Sequence, residues 1–186
     1  MSNYTKMAAL MGSSAIIVGG GAATADTDWS GAYAGASFSL LGGNIVFPGP
    51  TYPIYSDLFS GGGFVGFNWS AGNGLVLGAE VAAPGSFASG PIVYGELFDA
   101  KIRVGTALGD ALFYGIAGSS SGVYSETNEW DTYAVSLSGF GYGVGIDYAI
   151  NDNAFAGIEY FARNMEGEGY STDPLSTISL RLGVLF

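Results

Sequence analysis

The chain has no cysteine and no histidine. Without cysteine there is no disulfide, no thiolate metal site and no cysteine nucleophile. Without histidine the usual general base of serine hydrolases and the commonest zinc ligand are gone. Charge is scarce, at 11% of residues, and the five cations face 16 acids for a net charge of −11. A phosphate backbone needs a basic face, so nucleic acid is excluded as a partner. Long apolar runs are missing too: none reaches the roughly 18 residues of a transmembrane helix, although mean hydropathy is +0.34. What the chain has in abundance is glycine, 32 residues, and aromatics, 15%. Glycine weakens helix interiors, so that load argues against a helical bundle. At 186 residues the chain is most economically one domain.

The last stretch, Ser176 to Phe186 (STISLRLGVLF), carries the clearest pattern. Ile178, Leu180, Leu182, Val184 and Phe186 occupy every second position, with Thr177, Ser179, Arg181, Gly183 and Leu185 between them. A strand turns successive side chains to opposite faces, so this ribbon has one apolar and one mostly polar side. Arginine beside hydroxyls and a glycine suits an enclosed, wet interior, which leaves the apolar face outside, as in a strand that crosses lipid.

Residues 1–25 read as a signal peptide: Lys6 is its cation, Met7 to Val18 its short apolar stretch, and Ala23-Thr24-Ala25 an A-x-A cleavage site. The remainder, 26–186, repeats a period-two segment of about ten residues followed by a turn. Eight segments are predicted: 29–41, 62–71, 75–83, 92–108, 111–121, 132–150, 154–165 and 176–186. Their apolar faces include Phe38 and Leu40, then Val65, Phe67 and Trp69, then Leu75, Leu77, Ala79 and Val81. Phe98, Ala100, Ile102 and Val104 continue the series, followed by Leu112, Tyr114 and Ile116, and by Phe140, Tyr142, Val144, Ile146 and Tyr148. The links after the second, fourth and sixth segments are tight, at Gly72-Asn73-Gly74, Gly109-Asp110 and Asn151-Asp152-Asn153. The other links read as longer loops rich in Pro, Ser, Gly and acids. Short turns at one end and long loops at the other belong to an all-β fold, an eight-stranded antiparallel up-and-down transmembrane β-barrel.

Charge placement supplies an independent check. Lys101, Arg103, Arg163 and Arg181 each lie opposite the apolar run of their own strand, and Glu80, Asp99, Asp147 and Glu159 share that face. These eight groups are expected to meet as ion pairs inside the barrel, since a Lys or Arg on the lipid face at mid-bilayer costs about 2–4 kcal/mol. Trp29, Tyr148, Phe155 and Phe186 fall near the short-turn ends of their strands and are expected in an interfacial girdle.

Trp29-x-Gly31-x-Tyr33-x-Gly35, GGGFVGFNW (61–69), LGAE (77–80), KIRVG (101–105), YGIAG (114–118), GVGIDYAINDNAFAGIEY (143–160) and the terminal Phe186 together resemble the OmpA-type and opacity-type small outer-membrane barrels of proteobacteria. The resemblance spans nearly all of 26–186. It implies an eight-stranded barrel in the Gram-negative outer membrane, luminal ion pairs at positions including Glu80, Arg103 and Glu159, and a terminal phenylalanine read by the barrel-assembly machinery. Asp147 stands where the family more often has Glu, and Val184 where it more often has an aromatic. A barrel without the peptidoglycan-binding domain of larger members is expected.

Eight strands enclose a lumen that side chains just fill. With eight ionisable groups plus Tyr33, Asn68 and several serines pointing inward, a plugged interior is expected. The first reading is a surface protein with a structural or interaction role, no catalysis and no cofactor. Its loop acids, Asp57, Glu96, Glu126, Glu129, Asp131, Glu166, Glu168 and Asp173, are expected to keep the surface solvated. They could also hold divalent cations against lipopolysaccharide phosphates, although no EF-hand spacing appears. The alternative is a narrow porin-like channel for ions or small solutes, gated by the luminal pairs. A lipid-modifying enzyme of the outer leaflet is a weaker reading, because nothing in the spacing of Tyr124, Glu126 and Glu129 marks catalysis. A soluble ligand-binding barrel would need the parity reversed.

Overall fold

The computed structural model describes residues 27–46, 51–53, 58–89, 92–127, 132–167 and 170–186. The segment read as a signal peptide lies outside them. Among the described residues nine strands form: β1 (Gly31–Val46), β2 (Thr51–Pro53), β3 (Leu58–Gly72), β4 (Leu75–Ser89), β5 (Ile92–Leu108), β6 (Ala111–Thr127), β7 (Thr132–Asn151), β8 (Ala154–Gly167) and β9 (Tyr170–Leu185). Each long strand pairs antiparallel with the next, and β1 pairs with β9, so eight strands close into a ring. Closure pairs each of the eight long strands on both sides, which lipid demands because it offers backbone groups no hydrogen bonds. The short β2 was not anticipated; it pairs with the loop-side end of β1, Val46 opposite Thr51.

Three tight turns close the opposite end. At the first, Gly72, Asn73 and Gly74 all take positive φ, at 84°, 52° and 77°, the left-handed backbone that a two-residue hairpin needs. Hydrogen bonds link neighbouring turns and the chain end: Ala107 N–H donates to Gly74 O at 2.7 Å, Ala149 N–H to Asp110 O at 2.8 Å, and Phe186 N–H to Ala32 O at 2.9 Å.

The strands run longer than expected. The eight long ones span from 14 residues in β8 to 20 in β7, against roughly 9–11 for a tilted membrane crossing. Segments predicted to stop at 83, 121 and 165 continue to Ser89, Thr127 and Gly167. Much of what reads as loop is therefore paired strand that rises above the apolar band.

Alternation holds around the ring. Phe38, Val65, Phe67, Val81, Phe98, Ile102, Val144, Ile158, Ile178 and Leu180 are exposed on the outside, while Ser39, Asn68, Glu80, Arg103, Thr177 and Arg181 are buried inside. β6 is the exception to the expected faces. Leu112, Tyr114 and Ile116 point into the lumen and are nearly fully buried, and Phe113 is the exposed residue. The reason is the turn. Gly109-Asp110 pairs Leu108 with Ala111 and Ala107 with Leu112, and cross-strand partners share a face. Arg103 inside puts Ala107 inside, and Leu112 must follow.

Candidate functional site

The lumen is built in layers. At the turn end, Trp29, Tyr33, Phe64, Leu112, Tyr114, Phe155, Phe161 and Leu185 form one buried apolar cluster. At the loop end, Leu41, Phe87, Tyr94, Leu97, Tyr124, Val135, Leu137, Met165 and Leu175 form another. The eight ionisable groups predicted to meet inside lie with these clusters, none more than 5% exposed.

Six of the eight share one network. Glu80 is its hub: it accepts from Tyr33 OH at 2.9 Å, Lys101 Nζ at 3.3 Å, Arg103 Nη1 at 3.3 Å, and Arg181 Nη1 and Nη2 at 3.0 and 2.6 Å. Glu159 accepts from Lys101 at 2.5 Å and Arg181 at 2.8 Å. Asp147 accepts from Arg103 at 3.2 Å and Tyr114 OH at 3.1 Å, and Arg181 Nε stands 3.6 Å from it. Three carboxylates therefore balance three cations. Burying charge is costly unless it is paired and hydrogen-bonded, and here each acid touches at least two cations. Asn68 Oδ1 takes a further bond from Arg103 Nη2 at 3.1 Å.

The other two, Asp99 and Arg163, pair by themselves. Arg163 Nε and Nη2 donate to the two oxygens of Asp99 at 2.8 and 2.6 Å, a bidentate fork. Ser120 OH donates to Asp99 at 2.7 Å and Arg163 Nη1 to Thr177 at 3.1 Å. Phe161 stands between the two groups, with Lys101 Nζ and Arg163 Cζ each 4.8 Å from its ring centre. The eight charges thus divide six and two rather than joining in one cluster.

Aromatic rings hold the network in place. The Arg103 guanidinium carbon lies 4.8 Å from the Tyr33 ring and 4.3 Å from Tyr114, and that of Arg181 lies 3.9 Å from Phe64. These are cation–π distances. Each ring sits over an inward glycine of the neighbouring strand: Tyr33 over Gly66, Phe64 over Gly35, Tyr114 over Gly145, Phe155 over Gly183, Phe161 over Gly141. The first four are register pairs, whereas Gly141 lies two residues before Gly143, the register partner of Phe161. A Cβ on any of these five glycines would collide with the ring it faces. The ring covers the backbone that glycine leaves bare, and the glycine leaves room for the ring. This supporting set was missed in the sequence. Its signal was present in the register that the tight turns dictate.

The interfacial girdle is corrected. Trp29 and Phe155 are each 2% exposed and face inward, packed edge to face with ring centres 5.9 Å apart. Phe155 pairs with Ala149 across the turn, on the same luminal face as Asp147. Trp29 precedes β1 and folds into the mouth, where Ser30 N–H donates to Asp28 Oδ1 at 2.9 Å and Thr27 OH to Asp110 Oδ1 at 2.9 Å. The bond from Ser30 holds the Asp28 carboxyl below the ordinary carboxylate range. Tyr148 and Phe186 do face outward, as do Trp69 and Phe113.

Of the loop acids, Glu96 and Glu166 are exposed, but in strands β5 and β8. Glu126 and Asp173 likewise belong to the strand arms β6 and β9. The ladders extend past the apolar band, so these four are not loop residues. Asp57, Glu129, Asp131 and Glu168 lie outside the described residues. Among the described residues no group of three or more acids is placed to hold a metal ion.

Comparison with known proteins agrees with this architecture. The family described as "Outer membrane protein beta-barrel domain" matches residues 11–186. The 31 kDa outer-membrane immunogenic proteins of Brucella melitensis and Brucella suis are each 30% identical over 174 residues, covering 75% of this chain and 72% of theirs. Among solved structures, Ail of Yersinia pestis superposes with a TM-score of 0.57 at 14% identity, covering 84% of this chain and 99% of Ail. Neisserial surface protein A gives 0.52 at 16%, covering 83% and 96%. OprG of Pseudomonas aeruginosa gives 0.52 at 11%, covering 87% and 99%. At such identities the structural likeness concerns the fold. The family match over nearly the whole chain, the Brucella relatives and the inside-out eight-stranded ring lead to one conclusion: this chain belongs to the outer-membrane β-barrel proteins.

Proposed function

We propose that the chain is a closed outer-membrane surface protein, whose barrel anchors and displays an acidic exterior and neither conducts solutes nor catalyses a reaction. One observation carries this reading: the luminal charges lie between a plug of aromatic rings at the turn end and an apolar plug at the loop end. An ion crossing the lumen would have to shed its water beside buried rings before reaching any charge, and burying an unpaired charge is prohibitive. The exterior supports the same role. Four of the five cations are buried in the lumen and the fifth, Lys6, falls outside the described residues. Sucrose octasulfate, the heparin analogue bound in a structure of Ail, is a polyanion, and the exposed acids Glu96 and Glu166 would repel such a ligand. Contact with lipopolysaccharide phosphates would run through divalent cations.

Planar-bilayer recording tests the proposal. Refolded protein is expected to give no unitary conductance steps, and frequent steps from the wild type would overturn it. The channel reading is favoured by the polar network at mid-lumen. It predicts that Glu80→Ala opens steps while leaving the unfolding midpoint unchanged. Assembly is proposed to depend on Phe186, which is 77% exposed directly after β9. Its deletion is expected to leave processed chain in the periplasm or degraded, whereas normal outer-membrane levels would remove that role.

A further inference from the structure

We infer that the outward face of β5–β8, at the loop-side border of the apolar band, is a binding groove for the sugar headgroup of a glycolipid in the surrounding leaflet. Register places two rows of side chains there. Phe98 pairs with Ser121, Ser121 with Ser138, and Ser138 with Glu166. One step lower, Ala100 pairs with Ser119, Ser119 with Phe140, and Phe140 with Asn164. Phe98, Phe140, Ser121, Ser138, Asn164 and Glu166 are exposed. Phe98 and Ser119 to Ser121, with Ser138 and Gly139, line a groove of about 360 Å³.

The groove is shaped by the strands themselves. The β5–β6 register shifts between Gly95 and Phe98, and the β8–β9 register between Arg163 and Glu166. Bulges of this kind bend a strand and re-aim its side chains. Behind the groove Ser120 is turned inward and bonded to Asp99, itself held by Arg163, which fixes the backbone between Ser119 and Ser121. Below it an apolar trough of about 990 Å³ runs over Ala79, Ala100, Ile102 and Ala117 and shares Ser119 with the groove. A polar groove continuous with an apolar trough is the shape of an amphiphile.

The groove's chemistry selects the headgroup. Hydroxyls, an amide and one carboxylate can exchange hydrogen bonds with the hydroxyls of a sugar, and the two phenyl rings offer apolar faces for its C–H surface. Phosphate is disfavoured, because Glu166 stands in the row and the four cations of the described chain are buried in the lumen. A membrane lipid is the occupant because the outward face turns from apolar to polar at this level, which is where headgroups lie.

The inference rests on placement in the outer membrane and not on whether the lumen conducts, so its test and the conductance test can fail separately. Protein in detergent is mixed with glucosyl dioleoylglycerol, dioleoylglycerol or dioleoylphosphatidylglycerol, and lipid adducts are counted by native mass spectrometry. The wild type is expected to retain the glucosyl lipid over its aglycone by roughly tenfold, and the double variant Ser121→Ala, Ser138→Ala to lose most of that preference. Phe98→Leu serves as a second variant, and heat-modifiable gel migration confirms that each is folded. Equal retention of glucosyl lipid and aglycone would overturn the proposal, as would stronger retention of the phosphatidyl lipid. An unchanged preference in the folded variants would do so too. A dimer abolished by the double variant would make the patch an interface between copies and would equally overturn it.

Discussion

The two ends of the lumen solve the same problem differently. Near the turns, six charges are shared in a three-by-three network whose guanidiniums lie against tyrosine and phenylalanine rings. Towards the loops one bidentate pair, Asp99–Arg163, lies next to an aliphatic and tyrosine plug. A shared network spreads each charge over several partners, so the loss of one member disturbs all the others. An isolated pair is self-contained, and both members can be removed together. The difference should be visible in how completely a second mutation repairs a first.

The largest effect is expected at the hub. Glu80→Ala leaves Lys101, Arg103 and Arg181 short of one carboxylate, and removing one partner of a buried pair costs roughly 3–5 kcal/mol. The denaturant midpoint in detergent should fall accordingly, and adding Arg103→Ala should recover only part. The two cations and two carboxylates left balance in charge, but Lys101 and Arg181 still lack their bonds to Glu80, and Asp147 its bond to Arg103. Strictly additive losses would mean that Glu80 and Arg103 do not interact.

Asp99→Ala should cost somewhat less, about 3 kcal/mol, since Arg163 keeps its bond to Thr177. Here Asp99→Leu combined with Arg163→Met should restore most of the stability, as apolar replacement of a buried pair often does. If this double variant recovered no more than the Glu80/Arg103 double, the contrast between network and pair would be wrong.

Sequence parity carried much of this architecture. It placed all eight ionisable groups on the inner side and the apolar faces of β3, β4, β5, β7 and β9 on the outer side, because there one face is polar and the other is not. It failed on β6, where both faces are apolar and the larger side chains, Leu112, Tyr114 and Ile116, fill the plug. Size is a poor guide to the lipid face when the lumen also needs bulk. Turn register would have decided it, since a two-residue turn carries the parity of Arg103 onto Leu112. Trp29 and Phe155 were misplaced for a related reason: an aromatic near a strand end suits either a girdle or a plug. The strand arms and β2 were not legible because above the membrane the outside need not be apolar, and the alternation fades.

The glycine seats sharpen the contrast at a smaller scale. Gly145→Ala and Gly183→Ala would push a methyl into the Tyr114 and Phe155 rings, and overpacking of this kind costs about 1–3 kcal/mol. Gly115→Ala, on the outer face with its nearest neighbour 3.9 Å away, should change the midpoint by less than about 0.5 kcal/mol. Equal effects at all three positions would mean that the rings do not lie over the glycines.

The smallest perturbation tests the turn-end plug without disturbing it. Trp69 is 66% exposed on the outer face, whereas Trp29 is 2% exposed within the mouth. Two single-tryptophan proteins, with the other positions and Trp130 changed to phenylalanine, should keep the fold. Reconstituted with brominated lipids, the protein with Trp69 alone should be strongly quenched, most by bromines near the headgroups, because Trp69 lies close to the turn that ends β3. The protein with Trp29 alone should be nearly insensitive to bromine at every depth, since the barrel wall separates its indole from the acyl chains. Short-range quenching requires near contact, so Phe155 and Tyr33 would shield Trp29 even where its depth matches that of Trp69. Strong bromine quenching of Trp29 would return it to the lipid-facing girdle and open the mouth that the plug is described as closing.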